Sequence, residues 1–486
     1  MTINKYWISI FLLVSIISFY YFGITGYIYY FNDVYAYLSY AENFYNQGYI
    51  YDITTLPGTA PITPQNGIVL IYAGLRLFTE DILSIVQIVI GLLTINLIFI
   101  FYIIYKIGKL LEIEENILRL FIISLVFSFY FYAYYVTPTN DGFYISLFLL
   151  SIYLILKLIQ ENGQESKKYW IYLFFISITV PLFRLQGMIE IIASVIVFTL
   201  VQKNYKKAFF SFLLLISAFI SVRVIVYFLI NDFSGLEKLS ENLVIYNIEN
   251  LTNSIKALLS EVIPSMYLNF QSDYLTSSLL VTVKYIASFV ILVYTIFIFF
   301  KSFLDKNAKI FFLILIIFGN YGALILFNVM VDRYIYINGT LLSLIILYYL
   351  KYQYRKYFVF LLIFLSLLTF SARFFYKDFP KNEIINNIEY ISKTYKEYNL
   401  ITESNRHFYF YLKKPTIIDF KYIDISLPII LIGESKFVEN KIKEIENNYN
   451  LSYEKKNLSI YWSPMRNTKY ETYEINILDK RQKDEN

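Results

Sequence analysis

The stretch ILSIVQIVIGLLTINLIFIFYIIY, residues 82–105, runs from end to end without a charged side chain. As an α-helix it is about 36 Å long, enough to cross a hydrocarbon core of about 30 Å. Comparable apolar runs lie on both sides of it. They place spans near 6–27, 82–105, 117–136, 142–159, 169–183, 187–202, 208–230, 277–300, 309–328, 334–350 and 357–375. The whole chain agrees: of 486 residues, 57% are hydrophobic and 16% charged, against about 25% charged in a soluble domain. Mean hydropathy is +0.52. The expected class is a mainly α, polytopic membrane protein with about eleven transmembrane helices.

There is no cysteine and a single histidine, His407. Disulfides, thiolate metal sites and a catalytic histidine within the membrane part are excluded. A net charge of +5 is small for this length and gives no reason to expect nucleic acid. Lys5 precedes an apolar run that is longer than a signal-peptide core and lacks a small-x-small cleavage site, so it reads as an uncleaved anchor with a cytoplasmic N-terminus.

Basic residues favour cytoplasmic loops. With the N-terminus inside, the inner side receives 16, including Lys106, Lys109 and Arg119, Lys301, Lys306 and Lys309, and Lys351, Arg355 and Lys356. The outer side receives 7 up to and including residue 377: Arg76, Arg184, Lys238, Lys256, Arg333, Arg373 and Lys377. The two long loops, 27–81 and 231–276, both fall outside. The expected location is the cytoplasmic membrane, multi-pass, with the chemistry on the extracytoplasmic face.

Residues 377–486 hold 18 Lys and Arg against 17 Asp and Glu, and predict a small extracytoplasmic α/β domain following a transmembrane domain of 1–376. Strands are expected at 399–402, 415–419, 427–433 and 458–462, helices at 404–413 and 436–449, and a frayed tail from Asp479. Glu403 and His407 read as surface residues of this domain. Tyr132, Tyr134 and Tyr135, at the outer end of a span, read as part of an aromatic belt at the membrane interface.

The loop after the first span begins NDVYAYLSYAENFYNQG, residues 32–48. Val34, Leu38, Ala41 and Tyr45 recur at helical spacing, which predicts an amphipathic interfacial helix stopped by Gly48. Asp33 stands at its start. A carboxylate there can act as a base at the membrane surface, or Asn32 or Asp33 can simply cap the helix, and the two roles are compatible. Three prolines and two glycines between residues 57 and 67 then set a fixed path back to a short helix seated at the surface.

Charges within spans are costly and usually functional. Arg223 and Lys284 lie in outer halves of spans; Arg184, Arg333 and Glu190 sit at outer ends. A cluster of cations at one depth suits the phosphate of a lipid-linked substrate. Snorkelling of each side chain to the interface is the alternative.

In order and topology these features resemble the GT-C glycosyltransferases, which use polyprenyl-phosphate sugars and include protein O-mannosyltransferases and lipid A aminoarabinose transferases. The resemblance is carried by residues 32–48, TPQNGIVLIYAGLRLF (63–78), PLFRLQGM (181–188), DRYIYINGTLL (332–342) and the opening of the tail, residues 399–420. The family's acidic pair is Asn32-Asp33 here, and the glutamate often found in its middle turn is Gln186. The resemblance implies inverting sugar transfer from a polyprenyl-phosphate donor to a glycan, lipid or protein acceptor. Asp33 would be the base, and Arg184, Arg223, Lys284 and Arg333 would bind the donor phosphate. Glu42, Gln65, Asn66 and Tyr334 would position the acceptor. Some family members take a divalent metal and others none; a single acid argues against a tightly held ion. The alternatives are a polysaccharide polymerase or ligase using lipid pyrophosphate donors, and a lipid or oligosaccharide transporter. A transporter usually carries mid-membrane carboxylates, and only Glu190 falls inside a span here.

Overall fold

The computed structural model describes residues 5–24, 32–48, 55–56, 67–161, 166–230, 278–326, 332–374, 381–402, 412, 416–417, 422–447, 449–461 and 469–480. The loop expected at 231–276 and the helix expected at 404–413, apart from Leu412, lie outside them, as do Glu403 and His407. In chain order the helices are α1 Lys5–Ser18 (continued by a π turn, Phe19–Ile24), α2 Asn32–Gln47, α3 Gly67–Arg76, α4 Ile82–Leu110, α5 Glu115–Val126, α6 Phe129–Tyr135 and α7 Asn140–Gln160. They continue as α8 Ser166–Phe183, α9 Ile189–Ile196, α10 Tyr205–Ile230, α11 Ser278–Leu304, α12 Ala308–Leu326, α13 Asp332–Tyr349 and α14 Tyr352–Phe374. The described residues form two compact units: Met1–Phe19 with Pro64–Ile68 and Val86–Tyr376, and Tyr20–Thr63 with Val69–Ile85 and Lys377–Asn486.

In the first unit α7 is the most enclosed of the three helices long and apolar enough to cross a bilayer. Its neighbours α8 and α10 expose Phe174, Phe175, Phe209, Phe212 and Phe219, an apolar exterior suited to lipid rather than water. The run from Lys5 to Phe22, α4 and α7 are each long and apolar enough to cross a bilayer, and the α5–α6 pair makes a fourth if taken as one span. Five further apolar helices are shorter: Gly67–Arg76, Ile189–Val201, Phe289–Leu304, Ala308–Ala323 and Tyr336–Tyr349.

The stretch expected as one continuous span at 117–136 is broken. α5 and α6 meet at a bend of 66° around Phe127 and Ser128. All of α6 is buried, so Tyr132, Tyr134 and Tyr135 do not form an interfacial belt. Their rings fill the space the bend creates: Tyr130 stacks on Tyr134, Tyr336 packs on both α6 faces, and the Tyr132 hydroxyl donates to the Val126 carbonyl at 2.9 Å. That last bond answers one of the carbonyls the break leaves open.

One end of the bundle is basic, and its cations close helix ends. Lys309 Nζ donates to the Leu110 carbonyl at 2.8 Å, ending α4. Lys207 Nζ donates to the carbonyls of Leu158 and, at 2.8 Å, Glu161, and Gln202 Nε2 to that of Ile159 at 2.8 Å, ending α7. Arg355 reaches the carbonyls of Tyr348 and Leu350 at the end of α13, and its other edge meets Glu114 at 2.6 Å. Burial pushes the Glu114 carboxyl up, but the hydrogen bond and charge of Arg355 and a backbone hydrogen bond together hold the group below the usual carboxylate range.

In the second unit α2 ends at Gly48, whose φ of +81° permits the turn. The tail contributes α15 Lys381–Thr394, α16 Ser435–Glu446 and a four-stranded sheet in the order β2-β4-β6-β5. The strands are β2 Asn399–Thr402, β4 Ile429–Gly433, β5 Tyr449–Tyr461 and β6 Lys469–Lys480, while β1 Thr55–Leu56 pairs in parallel with β3 Thr416–Ile417. β2 and β4 run parallel, and β6 is antiparallel to both β4 and β5. The apolar run of β4 is buried on both faces. Ile430 and Ile432 pack with Ile388 and Ile391 of α15, while Ile429 and Leu431 pack with Val438, Ile442 and Ile445 of α16. The helix expected to Tyr449 stops at Glu446, where β5 needs the chain. Asp479 and Lys480, expected to fray, pair with Asn450 and Tyr449.

Two glycines give a direct test of the packing. A Cβ on Gly142 would lie 2.2 Å from the backbone oxygen of Tyr135, whereas one on Gly91 would meet nothing within 4 Å. Gly142→Ala is expected to lose about 1–3 kcal/mol, and Gly91→Ala to be neutral or stabilising by up to about 1 kcal/mol. Thermal unfolding of both purified proteins in detergent measures the contrast, and equal melting points would contradict the close approach of α6 and α7.

Candidate functional site

At the end of α7 opposite its lysine-capped terminus, three segments of the first unit converge. Thr139 caps α7, accepting from the Asp141 N–H. Asn140 Oδ1 accepts from the Ile68 N–H at 2.9 Å, which fixes the start of α3 against the start of α7. Gly67 lets this happen: a Cβ there would stand 2.6 Å from the Phe183 ring, at the end of α8. Asn96 of α4 completes the junction by donating to the Gly142 carbonyl at 2.8 Å.

The chemistry at this junction is an ion pair. Arg184, in the turn after α8, places Nη2 2.5 Å from Asp141 Oδ1, with side chains 12% and 4% exposed. Such a pair answers the desolvation of each charge, and removing one partner strands the other. Asp141 also lies in the first turn of α7, where the helix dipole favours an anion. The turn that carries Arg184 is tight: Pro181 removes a donor from the last turn of α8, and a Cβ on Gly187 would stand 1.8 Å from Val180. Glu190 follows in α9, buried, with Tyr144 and Ser151 of α7 as its polar neighbours.

Of the residues expected from sequence, Arg184 is the one brought into a described cluster in this unit. Asp33 is the second residue of α2, at a helix start as expected, with its side chain outside the described residues. The backbones of Arg223, Lys284, Arg333 and Tyr334 lie in α10, α11 and the start of α13, again without described side chains. Gln65 and Asn66 fall outside the described residues. Glu42, in the second unit, faces Arg76 at 4.0 Å, and Arg76 also donates to the Glu80 carbonyl. Among the described residues no three of Asp, Glu and His are grouped so as to hold a metal ion. The residue missed by sequence reading is Asp141, placed one position outside the span drawn from 142. The signal was present: Asn140-Asp141 repeats, at the start of α7, the Asn32-Asp33 dipeptide at the start of α2.

No family model and no curated protein matches the chain. Its fold does match a solved structure, the crystal structure of the Archaeoglobus fulgidus oligosaccharyltransferase tethered with an acceptor peptide containing the NVT sequon through a disulfide bond. The match has a TM-score of 0.54 over 93% of this chain and 73% of that one, at 12% identity. At that identity the likeness is one of fold alone, shared with that oligosaccharyltransferase over most of this chain.

The ion pair can be tested by a double-mutant cycle. Arg184→Gln and Asp141→Asn are each expected to cost about 3–5 kcal/mol. The double variant should lose less than the sum, by roughly 0.5–3 kcal/mol. Denaturant unfolding in detergent provides the readout, and strict additivity would show that the two side chains do not depend on each other.

Proposed function

We propose that the protein is a membrane glycosyltransferase that moves a sugar from a polyprenyl-phosphate donor to an acceptor on the extracytoplasmic face. The observation that carries this reading is the fold shared with an oligosaccharyltransferase over 93% of the chain. It is joined by an acid at the start of the first interfacial helix, where Asp33 opens α2.

In the proposed reaction Asp33 takes the proton from the acceptor hydroxyl. The oxygen forms its bond to the anomeric carbon as the bond from that carbon to the lipid phosphate breaks, with inversion. Arg223, Lys284 and Arg333 stabilise the negative charge of the departing phosphate, and Arg184 joins them as a cation fixed by Asp141. Glu42, Gln65, Asn66 and Tyr334 position the acceptor. The step as written needs no metal ion. The topology belongs to the same proposal: about eleven spans, the N-terminus in the cytoplasm and residues 377–486 outside as a domain of their own.

Two experiments test the mechanism. A cap needs an oxygen but no charge, and Asn caps about as well as Asp, so Asp33→Asn should fold and bind donor lipid. Without the base, transfer should fall by about a hundredfold or more; near-normal transfer by the purified variant would leave Asp33 as a cap. Arg223→Gln and Lys284→Gln should weaken donor binding with folding intact, whereas wild-type affinity in both would favour snorkelling. For the topology, a reporter fused after residue 380 should be active only outside the cytoplasm, and cytoplasmic activity would overturn the span count.

A further inference from the structure

A cavity of about 290 Å³ opens at the basic end of the bundle, between the ends of α4, α7 and α13 and the start of α12. That places it about 30 Å from the Arg184–Asp141 pair, the length of α7. Its walls are apolar at Leu110, Ile159 and Ile310, and its polar lining is Lys306, Lys309, Gln202, Tyr348 and Glu112. The size is near the lower end of small-ligand pockets, about 300–1,000 Å³.

The polar groups ask for a particular ligand. Lys309 holds the Leu110 carbonyl at 2.8 Å with Glu112 4.0 Å away, while Lys306 is exposed and makes no ion pair among the described residues. The Tyr348 hydroxyl accepts from Asn307 Nδ2 at 3.0 Å, which leaves its own proton to donate. Two ammonium groups and a hydroxyl donor, at the start of α12 where the helix dipole is positive, suit a phosphate. Gln202 adds the opposite demand. Its Nε2 is committed to the Ile159 carbonyl, and its buried Oε1 has no partner. That oxygen needs a donor, such as a hydroxyl carried near the phosphate.

The backbone points to the same place. Among the described residues, three other than glycine have left-handed backbone: Glu112 (φ 61°), Lys203 (φ 50°) and Lys306 (φ 52°). Glu112 and Lys306 line this cavity, and Lys203 follows Gln202, which also does. Each sits just past a helix, a position glycine fills without strain. Lysine at 306 is therefore a residue kept against the backbone's preference, and such strain collects at functional sites.

We propose that this cavity binds a phosphate ester bearing hydroxyl groups, the chemistry of a phosphoglycerol headgroup. The phosphate rests on Lys306, Lys309 and Tyr348, a hydroxyl donates to Gln202, and the apolar wall meets the adjoining chain. The source is a glycerophospholipid of the adjacent leaflet or a soluble glycerol phosphate. Which leaflet that is rests on the proposed topology; the binding itself does not.

The test uses full-length protein, delipidated in detergent, and its melting temperature. Phosphatidylglycerol should raise the wild-type melting temperature more than phosphatidylcholine, which has no headgroup hydroxyl. Lys306→Gly relieves the left-handed strain, so it should melt at or above the unliganded wild type, yet its affinity for phosphatidylglycerol should fall about tenfold or more. Tyr348→Phe should weaken the same binding. A full shift with sn-glycerol phosphate alone would support the cavity and assign a soluble ligand. Undiminished phosphatidylglycerol binding by Lys306→Gly, or equal shifts by the two lipids, would overturn the proposal. Sugar transfer enters none of these readouts, so failure here leaves the transferase reading standing.

Discussion

A helix that ends inside or beside a bilayer leaves carbonyl oxygens that water does not reliably reach, and each must be answered by another group. In this protein many of the answers come from elsewhere in the sequence. Lys309 closes α4 from a position 199 residues away, and Lys207 closes α7 from 49. Arg355 closes α13 and binds Glu114 across 241 residues. The lysines and arginines that signal orientation in the sequence are thus also the fasteners of the bundle. Packing supplies close approach, as at Gly142 and Gly187, but these bonds set which helix stops beside which.

The opposite end of α7 follows the same logic with a different result. There the helix presents N–H groups and an acid, and its partners are a peptide N–H from Ile68 and the guanidinium of Arg184. Both fix segments that sequence had marked as functional: the return helix α3, and the turn containing Arg184 between α8 and α9. The turn that carries Arg184 and the start of α3 are both tied to the first turn of α7.

Much of the helical plan was legible because long apolar runs leave a chain little alternative. The helix α2, stopped at Gly48, and the short helix α3 also followed from local rules. The bend between α5 and α6 did not. Phe127, Ser128 and Phe129 carry neither proline nor glycine, and the break is supported by rings from α6 and Tyr336. Tyr132, Tyr134 and Tyr135 misled for the same reason, since a tyrosine in a buried bend and one in an interfacial belt have the same local sequence. β6 was missed although Tyr473, Ile475 and Ile477 alternate with polar residues; its closeness to the charged terminus masked the pattern. Asp141 was passed over because a span boundary drawn one residue late turned a helix's first acid into a loop residue. What sequence could not supply was partnership: neither Asp141 nor Arg184 names the other.

The bond between Ile68 and Asn140 also constrains the order in which the molecule comes into being. Its two residues are 72 positions apart, which at about 5–20 residues per second of synthesis is several seconds. During that interval α3 has been made and its anchor has not. The helix near the end of the first long loop therefore leaves the ribosome before its anchor exists and is tethered only once the start of α7 has been made. A truncation anywhere between these residues yields a chain that carries the start of α3 without the residue that anchors it.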